Sequence, residues 1–313
     1  MMNPIELREH IREWYGKYDR YLNIGVKFLL ALMSFLIINY NIGYMSELKH
    51  VYVALFLAVL CAMLPTGMTI FLSAALVILH LYALSTEVAG MAAAMFIIMF
   101  LLYFRFEPKS GYYVVLTPLT FSCRIPYVMP IATGLVKEPH SIISVIFGTI
   151  VYYFLQGIKN NASLLSDTSV DGEDVNKLQV TFNQLFANKE LYLMLATVIL
   201  AMIVVYHVRR MAIDHAWRIA IGAGVLTQFV ILTAGYLIMG IKGKFLWLIV
   251  GSVLSWLISM LLEFLFFNLD YNRTERVQFE DDEYYYYVKA VPKVNLSSSE
   301  KKVQKIAGTE KED

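Results

Sequence analysis

The sequence predicts an all-α polytopic membrane protein: about eight transmembrane helices, a proline-broken segment forming a re-entrant hairpin or two short spans, and a short cytoplasmic β-hairpin tail. Three observations predict it. Apolar residues make up 58% of the 313-residue chain and charged residues 16%, too few charges to cover a water-soluble surface. Apolar runs of about 18 residues recur, each long enough to cross a hydrocarbon core about 30 Å thick. Lysines and arginines cluster between those runs rather than within them. The net charge of +1 gives no general electrostatic case for nucleic acid.

Residues 1–21 read as an amphipathic helix on the cytoplasmic membrane surface. Asn3 is placed to cap it, Pro4 suits the first helical position, and Glu6 completes a capping-box-like start. Leu7, Ile11, Trp14 and Tyr18 share one face, while Arg8, Arg12, Glu13 and Lys17 fill the rest. The first apolar run begins near Leu22 and ends in Asn39, Tyr40 and Asn41 rather than small residues, as a retained span does.

Eight runs follow in order, at about 22–40, 51–64, 68–84, 87–104, 141–158, 191–208, 217–239 and 246–267. Arg8, Arg12, Lys17 and Arg20 place the N-terminus inside, and Arg105, Lys109, Arg209, Arg210, Arg218, Arg273 and Arg276 fall on the same side. Lys242 and Lys244 dissent. Residues 22–267 thus form the transmembrane domain, with 159–190 external and both termini cytoplasmic, in a cell membrane. Val175, Leu178, Phe182, Leu185 and Phe186 have helical spacing within that external loop.

Two stretches interrupt the pattern. Pro65, Thr66 and Gly67 divide 51–84 into short halves, and Arg124, Ile125 and Pro126 divide 112–136. Pro118, Pro126 and Pro130 each remove an amide donor. Broken backbone at membrane depth survives only inside protein or beside a wet cavity, and paired interrupted segments are a sequence pointer to transporter binding sites. The candidate substrate-binding residues are therefore Arg124, Pro126, Thr117, Thr133 and Pro130, with Arg124 placed to meet an anionic group. Other ionisable residues have simpler readings: Lys27 snorkels, Glu263 is interfacial, and His80 is a packing histidine. Cys61 and Cys123 read as small core hydrophobes, and the Gly251, Ser255, Ser259 stripe as internal helix packing.

Phosphate-binding loops, the dinucleotide fingerprint, HExxH and GxSxG are missing, so neither an enzyme nor a cofactor is expected. Asp167, Asp171, Glu173 and Asp174 are in the wrong order for a calcium loop, and no metal is expected.

Residues 268–293 form a cytoplasmic segment in which 276–280 and 284–291 read as strands about an acidic turn, and 294–313 read as a disordered tail. Phe279 and Tyr284, Tyr285, Tyr286 and Tyr287 are the candidate partner-binding residues, for a cytoplasmic protein or a second copy. The expectation is that one strand face packs on the membrane domain, with Lys289 near lipid headgroups.

The stretch DYNRTERVQFEDDEYYYYVKAVPK at 270–293, with FRFEPK at 104–109 and IPYVMPIATGL at 125–135, resembles a family of uncharacterised multi-spanning membrane proteins of Gram-positive anaerobic bacteria, sometimes labelled permease. The resemblance implies membrane location and no catalytic residue. Two functions are expected from different classes: permease-like handling of a small solute at the break, or a non-enzymatic scaffold recruiting a cytoplasmic or cell-envelope partner through the tail.

Overall fold

The computed structural model describes residues 4–106, 111–166, 177–241, 243–267 and 274–292. Helix α1 spans Pro4–Ile42 as two helical stretches joined across a kink at Tyr18 (φ −114°, ψ 16°). The amphipathic start and the first span are thus one helix bent at Tyr18, three residues earlier than expected; Asn3 lies outside the described residues. Helix α2, Val51–Met63, is only 13 residues or about 20 Å long, because Pro65 cannot continue it. The part-buried Lys27 ammonium donates to the Leu64 carbonyl at 3.4 Å, at the C-terminus of α2. Helix α3, Thr66–Leu84, runs back alongside α1. His80 on α3 is fully buried, one ring nitrogen 2.9 Å from Asn39 Oδ1 and the other accepting from the Met45 amide at 3.3 Å. It is the packing histidine expected, and it pins the α1–α2 loop.

Helix α4, Thr86–Phe106, descends to α5, Gly111–Ser122, and α6, Val128–Val136. Helix α7 spans Ile142–Asn160, followed by one turn, α8, at Ala162–Leu165, and by α9 at Lys177–Phe186. The α9 helix expected from spacing is present and packs Val180 and Leu185 inward; Val175 and the acidic run lie outside the described residues. Helices α10 (Lys189–Arg209), α11 (Ala216–Ile238) and α12 (Phe245–Phe266) complete the bundle, the first capped by the Asn188 side chain accepting from two amides.

Among the described residues seven helices are long and apolar enough to cross a membrane, and Val51–Met63 is a shorter apolar helix, matching all eight runs. Their outer faces carry a belt of large exposed side chains, among them Phe71, Leu101, Leu226, Leu237 and Trp256. That is the arrangement hydrocarbon favours and water does not. Arg8 donates to the Phe267 carbonyl at 2.7 Å, which joins the start of α1 to the end of α12. The start of α1 and the end of α12 therefore lie at one end of the bundle, called here the terminal end. Lys159 donating to Asn41 at 2.8 Å and Lys244 paired with Glu190 at 2.7 Å mark the far end.

Strands β1, Glu275–Glu280, and β2, Tyr285–Ala290, form the predicted antiparallel hairpin. Asp281 closes its turn by accepting from the Glu283 and Tyr284 amides at 2.9 and 2.6 Å. Contrary to the expected packing of one strand face on the membrane domain, both faces are exposed, and the hairpin is tied to the α10–α11 link by Lys289, which pairs with Asp214 at 2.6 Å. Alternation separates Val277, Phe279, Tyr286 and Val288 on one face from Arg276, Gln278, Tyr285, Tyr287 and Lys289 on the other. The tyrosines are therefore divided between an apolar and a polar face. Residues 294–313 lie outside the described residues.

Candidate functional site

The broken segment is a helical hairpin whose arms measure about 18 Å (α5, 12 residues) and 14 Å (α6, 9 residues), both too short to cross a bilayer. It rises from the terminal end and turns at 123–127. A side chain at Gly251 would begin 2.6 Å from the Tyr127 ring and 3.5 Å from the Arg124 carbonyl. Gly251 lies six residues into α12 from Phe245, so the turn stops about 9 Å short of the far end of that helix.

The three prolines play unequal parts. Pro118 sits in the body of α5, where it leaves the Val114 carbonyl without its usual amide donor. Helix α7 lies against that point through Gly148, where a Cβ would be 2.5 Å from Thr117 Cβ and 2.9 Å from the Val114 oxygen. Pro126 falls in the turn, and Pro130 falls in the first turn of α6, where amides have no intrahelical partner anyway.

Arg124 sits where α5 ends, with φ +62°. The Ile125 amide returns to the Thr120 carbonyl at 2.9 Å and the Arg124 amide to Phe121 at 3.0 Å, a Schellman cap with arginine in its left-handed position. The same cap ends α11, where Gly240 occupies that position at φ +67°, as sterics prefer. An arginine there costs about 1 kcal/mol or more relative to an unstrained residue. Strain of this kind points to a demand for the side chain. The guanidinium stacks over Trp247, 4.4 Å from the ring centre.

Arg124 lines a cavity of about 630 Å³ enclosed by α1, α3, α4, α5 and α7. Its deep part is apolar, with Ile70, Val77, Phe96, Met99, Val115 and Phe147. Its mouth is polar, with Asn41, Ser122, Arg124, Tyr152, Gln156 and Lys159. Lys159 is held by Asn41 and lies over the Tyr40 ring at 5.8 Å. Among the described residues neither Arg124 nor Lys159 has a carboxylate partner, whereas Lys244, Lys289 and Arg218 are each paired with one. Among the described residues no carboxylate or imidazole lines the cavity and no cluster of three metal-ligating side chains occurs. The arrangement can attract and hold an anion.

The sequence candidates separate. Thr117 is fully buried against α7 and donates to the Tyr113 carbonyl at 2.6 Å. Thr133 is fully buried against α10 and donates to Met129 at 2.6 Å. Both hydroxyls are spent on their own helices. Thr117, Thr133, Pro126 and Pro130 are not in the cavity wall; Arg124 and Pro118 are. Comparison with family models, with curated proteins and with solved structures finds no match. The site must be read from its own chemistry. Lys159, Asn41, Gln156 and Tyr152 escaped sequence reasoning because they lie in other runs; only the position of Lys159 at a span end hinted at it. Cys123 is exposed at the mouth, not buried in the core, whereas Cys61 is buried.

Arm α6 is held differently, among α10, α11 and α12. A Cβ at Gly134 would lie 2.9 Å from Val205 and one at Gly224 would crowd Val205 and Ile131, and Gln228 donates to the Tyr127 carbonyl at 3.2 Å. Arg209 donates to the Leu135 and Lys137 carbonyls and so caps the C-terminus of α6. Gly251 contacts Tyr127 while Ser255 and Ser259 are fully buried, so the small-residue stripe serves internal packing as expected.

Proposed function

We propose that this chain is a permease-like membrane protein that takes up a small anionic solute in the cavity beside the broken segment, with Arg124 as its anchor. The observation that carries the reading is an arginine held in a left-handed cap position, without a carboxylate partner among the described residues, at the mouth of a mostly apolar cavity. Helix breaks of this kind are a recurrent device for solute coordination in transporters. Under this reading the terminal end is cytoplasmic, as the arginine distribution predicts, and the cavity opens on the outer half of a cell membrane.

Two measurements test it. A thermal-shift screen of anionic solutes on the purified chain should yield one that raises the melting midpoint of the parent and not of Arg124→Gln. If every protective anion protects both equally, the anchor assignment is wrong. In a Cys123→Ser background, an impermeant thiol reagent should label Asn160→Cys and Asp282→Cys from opposite sides of intact cells; labelling from one side would discard the orientation.

A second reading rests on the exposed apolar strand face of Val277, Phe279, Tyr286 and Val288. It makes the chain a membrane scaffold whose hairpin recruits a cytoplasmic or envelope partner. Deleting residues 274–292 would then abolish cellular function while leaving anion protection intact.

A further inference from the structure

We infer that the ligand of this cavity is an amphiphile with a phosphate head and a hydrocarbon chain, not a fully hydrated anion. The inference rests on the binding reading above and names its substrate class. The polarity of the wall is one-sided. From Lys159 at the mouth to Phe147 at the base, α7 runs twelve residues, or about 18 Å, several times the diameter of a phosphate ion. Over the deeper part of that length the wall is aliphatic and aromatic. Of its three hydroxyls, Ser34 donates to the Leu30 carbonyl, Tyr103 accepts from the Gly111 amide, and Ser73 is buried with its oxygen unpaired among the described residues. Water in such a space finds few partners, whereas a hydrocarbon chain would bury the apolar wall favourably.

The mouth supplies what a lipid phosphate recognises. Arg124 presents a planar fork of donors and stacks one face on Trp247, which fixes the plane while leaving its edge available. Lys159 adds a second charge, and neither cation is neutralised by a carboxylate among the described residues. Tyr40, Tyr152 and Trp247 place aromatic groups at the same end, as at a headgroup boundary. Tyr40 lines the cavity yet is 86% exposed, so the mouth is open beside α1 and a chain can enter from the surrounding phase.

The test uses the full chain purified in detergent and three probes: dioctanoyl phosphatidic acid, uncharged dioctanoyl glycerol, and inorganic phosphate, with binding read by native mass spectrometry. Saturable binding of the phosphatidic acid at least about tenfold tighter than either comparator is expected. Arg124→Gln should reduce that preference over dioctanoyl glycerol to near one. Ala74→Phe, which fills the deep end, should weaken both lipids and spare inorganic phosphate. Val151→Trp fills the same space from α7, should Ala74→Phe fail to fold. If inorganic phosphate binds within tenfold of the phosphatidic acid, the ligand is a soluble anion: this inference falls and the permease reading stands. Lipid binding unchanged by Arg124→Gln or by both filling variants is annular and overturns the inference. Saturable binding by none of the three overturns it as well, and an anion screen negative on Arg124 would then remove the broader reading separately.

Discussion

Replacing Arg124 by glycine and by alanine separates what the residue does for the fold from what it does for the ligand. The left-handed backbone at φ +62° costs any L side chain about 1–2 kcal/mol. Glycine relieves that cost but gives back about 0.5–1 kcal/mol through its larger unfolded-state entropy. Both substitutions lose the stacking on Trp247, about 0.5–1 kcal/mol at an exposed site. Alanine keeps the strain and loses the stacking, so it should be less stable than the parent by about 0.5–1 kcal/mol. Glycine should sit above alanine by about 0.5–1 kcal/mol and close to the parent. For a chain of this size that separates the two melting midpoints by about 1–2 °C, measured on detergent-purified protein by intrinsic fluorescence. Both variants should lose the phosphate-dependent part of ligand binding equally. An alanine variant melting at or above the glycine variant would refute the cap geometry. A glycine variant that binds like the parent would refute the anchor.

Other substitutions follow from the packing. Gly148→Leu drives a side chain into Thr117 and the Val114 carbonyl and should destabilise by about 1–3 kcal/mol, seen as a lower melting midpoint; Gly148→Ala should fall between it and the parent. Arg209→Met leaves the Leu135 and Lys137 carbonyls at the end of α6 without their donor and should cost about 2–4 kcal/mol, partly restored by Arg209→Lys. In the hairpin, amide hydrogen bonds from Glu283, the Tyr286 hydroxyl and the Tyr284 amide hold the Asp281 carboxyl below its usual range. A depressed carboxyl stabilises the folded form fully above its unfolded value near pH 4 and loses that contribution as pH falls through the lower folded value. Exchange protection factors across 275–290 should therefore drop on acidification below about pH 4, and Asp281→Asn should abolish the dependence. Unchanged protection at low pH would show that the turn does not rely on this carboxylate.

Hydropathy alone made the helices legible, since each apolar run became one helix and Pro65 shortened α2 as a missing amide donor should. The break at Arg124 was legible from its prolines, and the hairpin strands from β-branched and aromatic residues about an acidic turn. The partition of residues around the break was not. Whether a hydroxyl on a helix serves a solute or its own i−4 carbonyl depends on which side of the helix faces a gap. Thr117 and Thr133 prove to face neighbouring helices, not the cavity. The cavity mouth joins Asn41 to Lys159 across 118 residues, a pairing no local pattern encodes. The tail misled for a related reason: four consecutive tyrosines suggest two sticky faces, yet the alternation with Val277, Phe279 and Val288 makes only one face apolar.

The two arms of the broken hairpin pack mainly into different cores and share one cluster near the turn, where Phe121 of α5 meets Tyr127 and Met129 at the start of α6 beside α7, α10 and α11. Arm α5 packs in the core shared with α1, α3, α4 and α7, while α6 is clasped by glycine contacts among α10, α11 and α12. The backbone joining them is the short non-helical turn at Arg124. If one bundle rocks against the other, that turn is a natural pivot, and on the anion-binding reading proposed above it carries the charge that would meet the ligand. Occupancy of the cavity and the angle between the bundles would then be two readings of a single coordinate. A ligand that neutralised Arg124 would not need to push on either half; it would only have to change which rotation of the turn costs least.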